Sequence, residues 1–312
     1  MALLKVENLS VSFETVMGTV KAADDVSFEI EKNEILALVG ETGCGKSVIA
    51  NTILRLLPNN ARVGGKITYG GQDLLKMSEK EISGIRGKEI STIFQNPSLA
   101  LNPVYPVGWQ ISEPLRVRER ISKKMSMEIS KKLLGRLGFR DPARDMQMYP
   151  FQFSGGMNQR AMIATSVVLG PKIIIADEPT TGLDDDLVRE LIEEIEYIQQ
   201  MNRSSILLIT HDINFAKALS DRIIIMYSGD IVEVGTTEDF FYEPLHPYSK
   251  ALLESLPEHG FLPIPGSSPS MIHEPEGCKF HPRCPRRMSG CAAEKPKMFR
   301  SGKSMVRCLL FA

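Results

Sequence analysis

The chain has 312 residues, of which 43% are hydrophobic and 24% are charged, and its formal net charge is −1. This length allows a large α/β domain with an appendage, and the ordinary composition argues against a coiled coil or a disordered chain. The small net charge gives no sign of bulk electrostatic attachment to nucleic acid or to anionic lipid.

The N-terminal segment MALLKVENLSVSF alternates apolar and polar residues and has neither the charged nor the apolar region of a signal peptide. No apolar stretch approaches the roughly 18 to 20 residues that a membrane-spanning helix requires. We therefore expect a soluble protein in the cytoplasm.

The start of the chain is predicted to be rich in strands. Residues 3–39 contain three strand patterns, with turn-forming residues at Gly18 and at Lys32 and Asn33. The third pattern, residues 35–39, is continuously apolar, which is typical of a strand buried on both faces. Residues 98–165 have more charge and helical spacing, and indicate a separate helical subdomain.

The remainder of the chain alternates strand and helix patterns before it becomes irregular. The strand segments KIIIAD and SILLIT flank a predicted helix over residues 187–201, which is the rhythm of a mostly parallel sheet. The segment RIIIMYSGDIVEVG predicts a hairpin that turns at Ser228 and Gly229. From Pro257 onward, Pro, Gly and Ser accumulate and predict an irregular tail that adds little to the core.

A phosphate-binding motif follows the buried strand pattern. GETGCGKS, residues 40–47, matches G-x-x-x-x-G-K-[ST] and precedes a predicted helix. The glycines let backbone N–H groups surround phosphates, Lys46 neutralises their charge, and Ser47 can bind Mg²⁺. The residues expected to contact nucleotide here are Gly40, Glu41, Thr42, Gly43, Cys44, Gly45, Lys46, Ser47 and Val48. We interpret Cys44 as a small packing residue, with a redox-sensing thiol as the alternative.

Two adjacent carboxylates follow the next buried strand pattern. Asp177 and Glu178 come directly after IIIA, at the strand end where α/β sheets place ligands. We expect Asp177 to bind Mg²⁺, and Glu178 to orient or deprotonate the attacking water.

With FSGGMNQR at residues 153–160 between these two motifs, the chain resembles the ATP-binding subunits of ABC transporters. The resemblance implies that Gln95 and His211 act in catalysis, with Gln95 also touching Mg²⁺. It further implies nucleotide contacts by Ser154, Gly155, Gly156, Asp184 and the adenine-stacking Phe13. Alternatives are a capping or surface role for His211 and a core position for Phe13. Met157 and Gly182 depart from the usual family residues.

The likeness implies a dimer, because one chain carries two half-sites that face opposite directions. The second ATPase subunit is expected to be a related chain or a second copy. The segments EPLHPYSKALLESLP and CKFHPRCP resemble the ATPases of oligopeptide, dipeptide and nickel importers. That resemblance implies two transmembrane permease subunits, an extracytoplasmic solute-binding protein, no nucleic acid, and a peripheral position on the cytoplasmic face of the membrane. The alternative is a non-transport ABC ATPase that acts on ribosomes or nucleic acid.

Four of the five cysteines lie near the C-terminus, in a segment with little apolar mass. Cys278, Cys284, Cys291 and Cys308 have the spacing C-x5-C-x6-C-x16-C. Disulfides are disfavoured in a protein that uses cytosolic ATP. Zinc prefers closer pairs, although His281 could join as a ligand. We favour a [4Fe–4S] cluster, because it takes four thiolates and because members of the resembling subfamily carry one on this tail.

The expected fold class is therefore α/β. It comprises a P-loop ABC ATPase core with a mostly parallel sheet, an antiparallel β subdomain, a helical subdomain at about 98–165 and a small cysteine-bearing extension. The predicted domains are a nucleotide-binding domain over 1–256 and an extension over 257–312.

Overall fold

The computed structural model describes residues 2–312, with no description of the side chains of Ser98 and His259. Its strands are β1 (Leu4–Thr15), β2 (Gly18–Ile30), β3 (Ile35–Val39), β4 (Ala61–Tyr69), β5 (Gln72–Asp73), β6 (Ile90–Ile93), β7 (Ile173–Asp177), β8 (Ser205–Thr210), β9 (Arg222–Tyr227), β10 (Asp230–Thr236), β11 (Phe299–Ser301) and β12 (Ser304–Val306). Its α-helices are α1 (Lys46–Ile53), α2 (Glu79–Ile85), α3 (Pro97–Ala100), α4 (Val107–Arg118), α5 (Lys123–Arg136), α6 (Pro142–Asp145), α7 (Gly155–Val167), α8 (Asp185–Asn202), α9 (Ile213–Leu219), α10 (Thr237–Tyr242) and α11 (Pro247–Glu254).

The chain divides into two compact units, one formed by Met1–Met77 with Leu208–Ala312 and the other by Ser78–Leu207. The boundary between residues 207 and 208 falls within strand β8. Among residues 2–312, no helix has both the length and the apolar character that crossing a membrane requires.

The first unit contains an antiparallel sheet and a larger sheet, in which β11, β12, β10, β9 and β3 lie side by side. The antiparallel sheet has the strand order β2-β1-β4-β5, and its β1–β2 hairpin begins with Leu4 opposite Ile30. In the larger sheet β3 lies parallel to β9, with Leu36 opposite Arg222, and the order continues through β10 and β12 to β11. The predicted strands of residues 3–39 are confirmed, and so is the buried character of β3.

The second unit combines a parallel strand pair with helices. Strand β6 lies parallel to β7, with Ile90 opposite Ile173. Helices α4, α5 and α7 pack against one another. The 18-residue helix α8 follows β7, as its apolar spacing predicted. The division at residues 78 and 207 differs from the expected helical subdomain of 98–165, and the functional domain boundaries stay predictions.

The C-terminal residues contribute to the core, contrary to the expectation of an irregular tail that adds little to it. Phe280 is 1% exposed, and its ring centroid lies 5.2 Å from that of Tyr227 and 5.4 Å from that of Tyr248. Strand β12 pairs with β10, so the chain end extends the larger sheet. The apolar partners of Phe280 are more than 30 residues away in sequence, which is why composition could not reveal this packing.

A buried histidine lies beside this aromatic cluster. His246 is 1% exposed; its ring Nδ1 accepts a hydrogen bond from the backbone N–H of Tyr248 at 3.0 Å. The carboxylate of Glu233 accepts hydrogen bonds from the backbone N–H groups of Leu245 and His246. Burial therefore lowers the pKa of His246 to about 3.

This histidine predicts a pH-dependent stability. The folded state binds the proton more weakly than the unfolded state, so stability is complete above the unfolded pKa of about 6.5 and falls as pH decreases toward 3. Between pH 6 and 4 we expect His246 to remove about 1.4 kcal/mol of unfolding free energy per pH unit. Urea unfolding of wild type and His246→Asn measures this, because Asn keeps an acceptor but does not titrate. Parallel pH profiles for the two proteins would contradict the assignment.

Candidate nucleotide-binding site

The phosphate motif forms the connection between β3 and α1, as the sequence predicted. Strand β3 is buried along its whole length and ends at Val39, and Gly45 is the N-cap of α1. Gly45 has no side chain that could cap the helix, so none competes with an anion at this position. The loop between them is therefore shaped by backbone atoms, which is the requirement for a phosphate cradle.

Two glycines of the loop are required by close backbone contacts. A Cβ atom on Gly45 would lie 2.0 Å from the carbonyl oxygen of Ala22, and the φ of Gly45 is +108°. A Cβ atom on Gly40 would lie 2.2 Å from the carbonyl oxygen of Met226. Both distances are far below van der Waals contact, so the conformation of the loop depends on the absence of side chains.

The lysine of the motif is held inside the loop. Lys46 is 4% exposed, and its Nζ donates to the carbonyl oxygens of Gly40 at 2.8 Å and Glu41 at 3.1 Å. A buried ammonium next to a backbone cradle fits a polyanion such as the triphosphate of ATP. Ser47, the proposed Mg²⁺ ligand of this loop, is half-buried in the first turn of α1.

The cysteine of the loop is a packing residue in this structure. Cys44 is buried, and burial raises the pKa of its thiol to about 11. The thiol is therefore protonated at neutral pH and is a poor nucleophile, which argues against the redox-sensing alternative.

The two carboxylates lie in the second unit at the end of β7. Asp177 is the last residue of the strand and is half-buried, while Glu178 is 8% exposed. Glu178 adopts φ +49°, a conformation that costs energy for a residue with a side chain. Its carbonyl accepts from the backbone N–H of Thr181 at 3.2 Å, so a tight turn holds the residue in place.

Gln95 lies beside this turn. Its side chain is exposed, and its Nε2 donates to the hydroxyl of Thr181 at 3.3 Å. The structure therefore brings together Gln95 and the segment that follows Glu178, two features that are more than 80 residues apart in sequence.

A buried glutamine that was not predicted from the sequence also supports this turn through a hydrogen bond. Gln159 is 5% exposed, and its Nε2 donates to the carbonyl oxygen of Pro179 at 3.0 Å. Gln159 lies in the FSGGMNQR segment, and its place in that motif was the signal that the sequence offered for a functional role. Helix α7 thus links that segment to the acidic turn within the second unit.

The serine and glycines of FSGGMNQR begin helix α7. The hydroxyl of Ser154 accepts from the backbone N–H of Met157 at 3.3 Å, so Ser154 is the N-cap. Ser154 and Gly155 are exposed and Gly156 is half-buried. An exposed glycine-rich start of a 13-residue helix is suited to an anion held by another molecule.

The three remaining residues predicted for the nucleotide site are Asp184, His211 and Phe13. Asp184 caps α8 by accepting from the backbone N–H of Leu187 at 2.9 Å, and its side chain is exposed. His211 is exposed directly after β8. Phe13 is half-buried on β1, opposite Val20 of β2. Adenine stacking by Phe13 therefore stays a prediction, as do the roles of the other two.

The comparisons with known proteins agree with these features. A family described as "ABC transporter" matches residues 23–181, and one described as "Oligopeptide/dipeptide transporter, C-terminal region" matches residues 232–291. The dipeptide transport ATP-binding protein DppD of Bacillus subtilis (strain 168) is 44% identical over 315 residues, covering 98% of this chain and 94% of the relative. The chain belongs to the ABC transporter family. It is an ABC ATPase.

Further relatives and solved structures support the membership and the fold. The oligopeptide transport ATP-binding protein OppD of Escherichia coli (strain K12) is 39% identical over 300 residues, covering 95% of this chain and 89% of the relative. A solved ATP-binding cassette, a dimer bound to ADP and Pi, superposes with a TM-score of 0.67 at 24% identity, over 75% of this chain and 98% of that one. A cassette from Clostridium perfringens, part of the ABC transporter complex cbiONQ, gives 0.66 at 25% identity, over 82% and 95%. The predicted α/β cassette fold is confirmed.

The predicted iron–sulfur cluster is wrong, and the zinc alternative has no support. Among residues 2–312, no group of three or more His, Cys, Asp or Glu side chains is arranged to hold a metal ion. The relatives above are named only as peptide transport ATP-binding proteins. Burial raises the pKa of Cys278 to about 11 and also raises the pKa of Cys284 and of Cys308.

Ordinary packing and buried ion pairs organise this segment instead. Lys279 is 5% exposed, and its Nζ contacts carboxylate oxygens of Glu274 at 2.6 Å, Asp230 at 3.5 Å and Asp24 at 3.8 Å. Together with Phe280 in the aromatic cluster, these contacts anchor the segment.

Proposed function

We propose that this chain is the ATP-hydrolysing subunit that powers the import of dipeptides or oligopeptides. The observation that carries the proposal is that the similarity to DppD and OppD spans nearly the whole chain. It includes the match to the C-terminal region of oligopeptide and dipeptide transporters at residues 232–291. A cassette that shared only the ATPase core with these relatives would lack that second match.

In the proposed mechanism the loop 40–48 and Lys46 bind the phosphates of ATP. Ser47, Gln95 and Asp177 would hold Mg²⁺, which would supply positive charge beside the β- and γ-phosphates. Glu178 would orient and deprotonate the attacking water, and His211 would contact the γ-phosphate. The buried lysine and the backbone cradle support these assignments on the phosphate side.

The proposed assembly is a dimer of cassettes with membrane partners. The exposed start of α7, with Ser154 and Gly155, would bind ATP held by a second ATPase subunit, either a related chain or a second copy. Two transmembrane permease subunits and an extracytoplasmic solute-binding protein would complete the importer. The chain would then work at the cytoplasmic face of the membrane.

A pull-down from membranes tests the assembly. We expect the tagged chain to co-purify with two hydrophobic subunits after nuclease treatment, and the complex to take up a labelled dipeptide into ATP-loaded proteoliposomes. Nickel chelate serves as the competing cargo. Co-purification with ribosomes, or uptake of nickel but not of peptide, would contradict the proposal. Permease-free chain serves as the control for uptake.

A further inference from the structure

The C-terminal segment, residues 257–312, contacts the phosphate loop through an ion pair between Arg283 and Glu41. Glu41 is the second residue of the loop, and both of its carboxylate oxygens accept from Nη1 of Arg283, at 3.1 and 3.2 Å. The Arg283 side chain is 7% exposed and that of Glu41 is 27% exposed. Solvent therefore screens this pair only weakly.

The guanidinium of Arg283 is itself fixed by its surroundings. Its Nε donates to the carbonyl oxygen of Pro265 at 2.8 Å, and its Nη1 lies 3.3 Å from the hydroxyl of Tyr227. The guanidinium carbon lies 5.8 Å from the centre of the Tyr227 ring. Arg283 also follows the buried Phe280 by only three residues, so the aromatic cluster positions it.

Glu41 is held at its backbone as well as at its carboxylate. Its N–H donates to the hydroxyl of Tyr248 at 3.2 Å, and the hydroxyl of Ser268 donates to its carboxylate. The partners of its backbone N–H and of its carboxylate thus come from residues 248–283, far beyond the β3–α1 connection in sequence.

The charge of Glu41 matters because the neighbouring ligand is a polyanion. A carboxylate within the loop repels the phosphates of ATP unless a cation neutralises it. Arg283 supplies that cation and forms charge-assisted hydrogen bonds to both oxygens.

We propose that Arg283 prepares the phosphate loop for ATP: it neutralises Glu41, so that the loop carries no uncompensated negative charge next to the phosphates. Nucleotide affinity would then depend on the C-terminal segment. This inference requires ATP binding by the loop and is independent of which solute the importer carries.

A double-mutant cycle on the full-length chain tests the proposal. We expect Arg283→Gln to weaken binding of a fluorescent, non-hydrolysable ATP analogue about tenfold, because the loop that binds the phosphates then carries an uncompensated carboxylate. The rate of hydrolysis at saturating ATP should stay within about twofold of wild type, since Arg283 contacts no reacting group. Adding Glu41→Gln to Arg283→Gln should restore most of the lost affinity. The control is Arg287→Gln, an exposed residue of the same segment.

The cycle also contains the outcomes that would overturn the proposal. Wild-type affinity in Arg283→Gln, or an Arg283→Gln/Glu41→Gln protein that binds no better than Arg283→Gln, would reduce Arg283 to a structural residue. Should Arg283→Gln fail to fold, Glu41→Gln alone decides, because removing the negative charge while Arg283 remains should tighten binding of the ATP analogue relative to wild type. Unchanged or weaker binding in Glu41→Gln would refute the charge argument.

Discussion

Glu178→Gln is expected to lower the rate of ATP hydrolysis by at least about 100-fold while ATP binding stays close to that of wild type. Glutamine keeps the size of the side chain and its ability to hydrogen-bond, but it cannot accept the proton of the attacking water. The residue is 8% exposed at the end of β7, and a tight turn holds its backbone, so the substitution should not disturb the fold. Phosphate release and equilibrium nucleotide binding measure the two effects separately.

The same variant should also prolong the ATP-bound dimer, which size-exclusion chromatography with ATP detects. Glu196→Gln provides a matched control, because Glu196 is exposed on α8 in the same unit. Hydrolysis at the wild-type rate in Glu178→Gln would refute the assignment of Glu178 as the general base. Loss of ATP binding in this variant would instead show that Glu178 holds the nucleotide.

Gly45→Ala is expected to abolish nucleotide binding and to destabilise the protein by about 3 kcal/mol or more. The new Cβ would lie 2.0 Å from the carbonyl oxygen of Ala22, and the φ of +108° disfavours every residue with a side chain. The loop can relieve this clash only by moving away from β2, which would displace the N–H groups that surround the phosphates. Urea unfolding and nucleotide titration report the two effects.

Gly43→Ala is the matched control for this prediction. Gly43 also has a positive φ, +81°, but a Cβ atom there would meet nothing within 4 Å. We therefore expect only the conformational cost of about 1 kcal/mol in this variant. Equal destabilisation by the two substitutions would show that the close approach of Ala22 has no energetic consequence.

Local chemistry explains the features of the fold that the sequence predicted correctly. The phosphate loop follows a continuously apolar strand, and both are recognisable within ten residues. The hairpin between β9 and β10 turns at Ser228 and Gly229, which have φ values of +44° and +84°, as two-residue turns require. Such signals depend on neighbours in the chain, so they do not need the tertiary structure.

The wrong prediction of a metal site at the cysteines arose because the sequence does not show contacts between distant residues. Viewed locally, residues 257–312 carry little apolar mass, and four thiols indicated a metal site. In the structure Phe280 packs on Tyr227 and Tyr248, and Lys279 is paired with Asp230, a carboxylate from a distant part of the chain. These partners stabilise the segment, and none of them lies within it in sequence.

The sequence by itself determined the strands of residues 3–39, the phosphate loop, the acidic pair and the resemblance to ABC ATPases, because each is specified by residues within a short window. Only the tertiary structure decided which distant groups support those motifs: Thr181 beside Gln95, Gln159 on the acidic turn, and Arg283 on Glu41. The physical reason is that a hydrogen bond or ion pair depends on distance in space, and folding sets that distance for residues separated by tens or hundreds of positions.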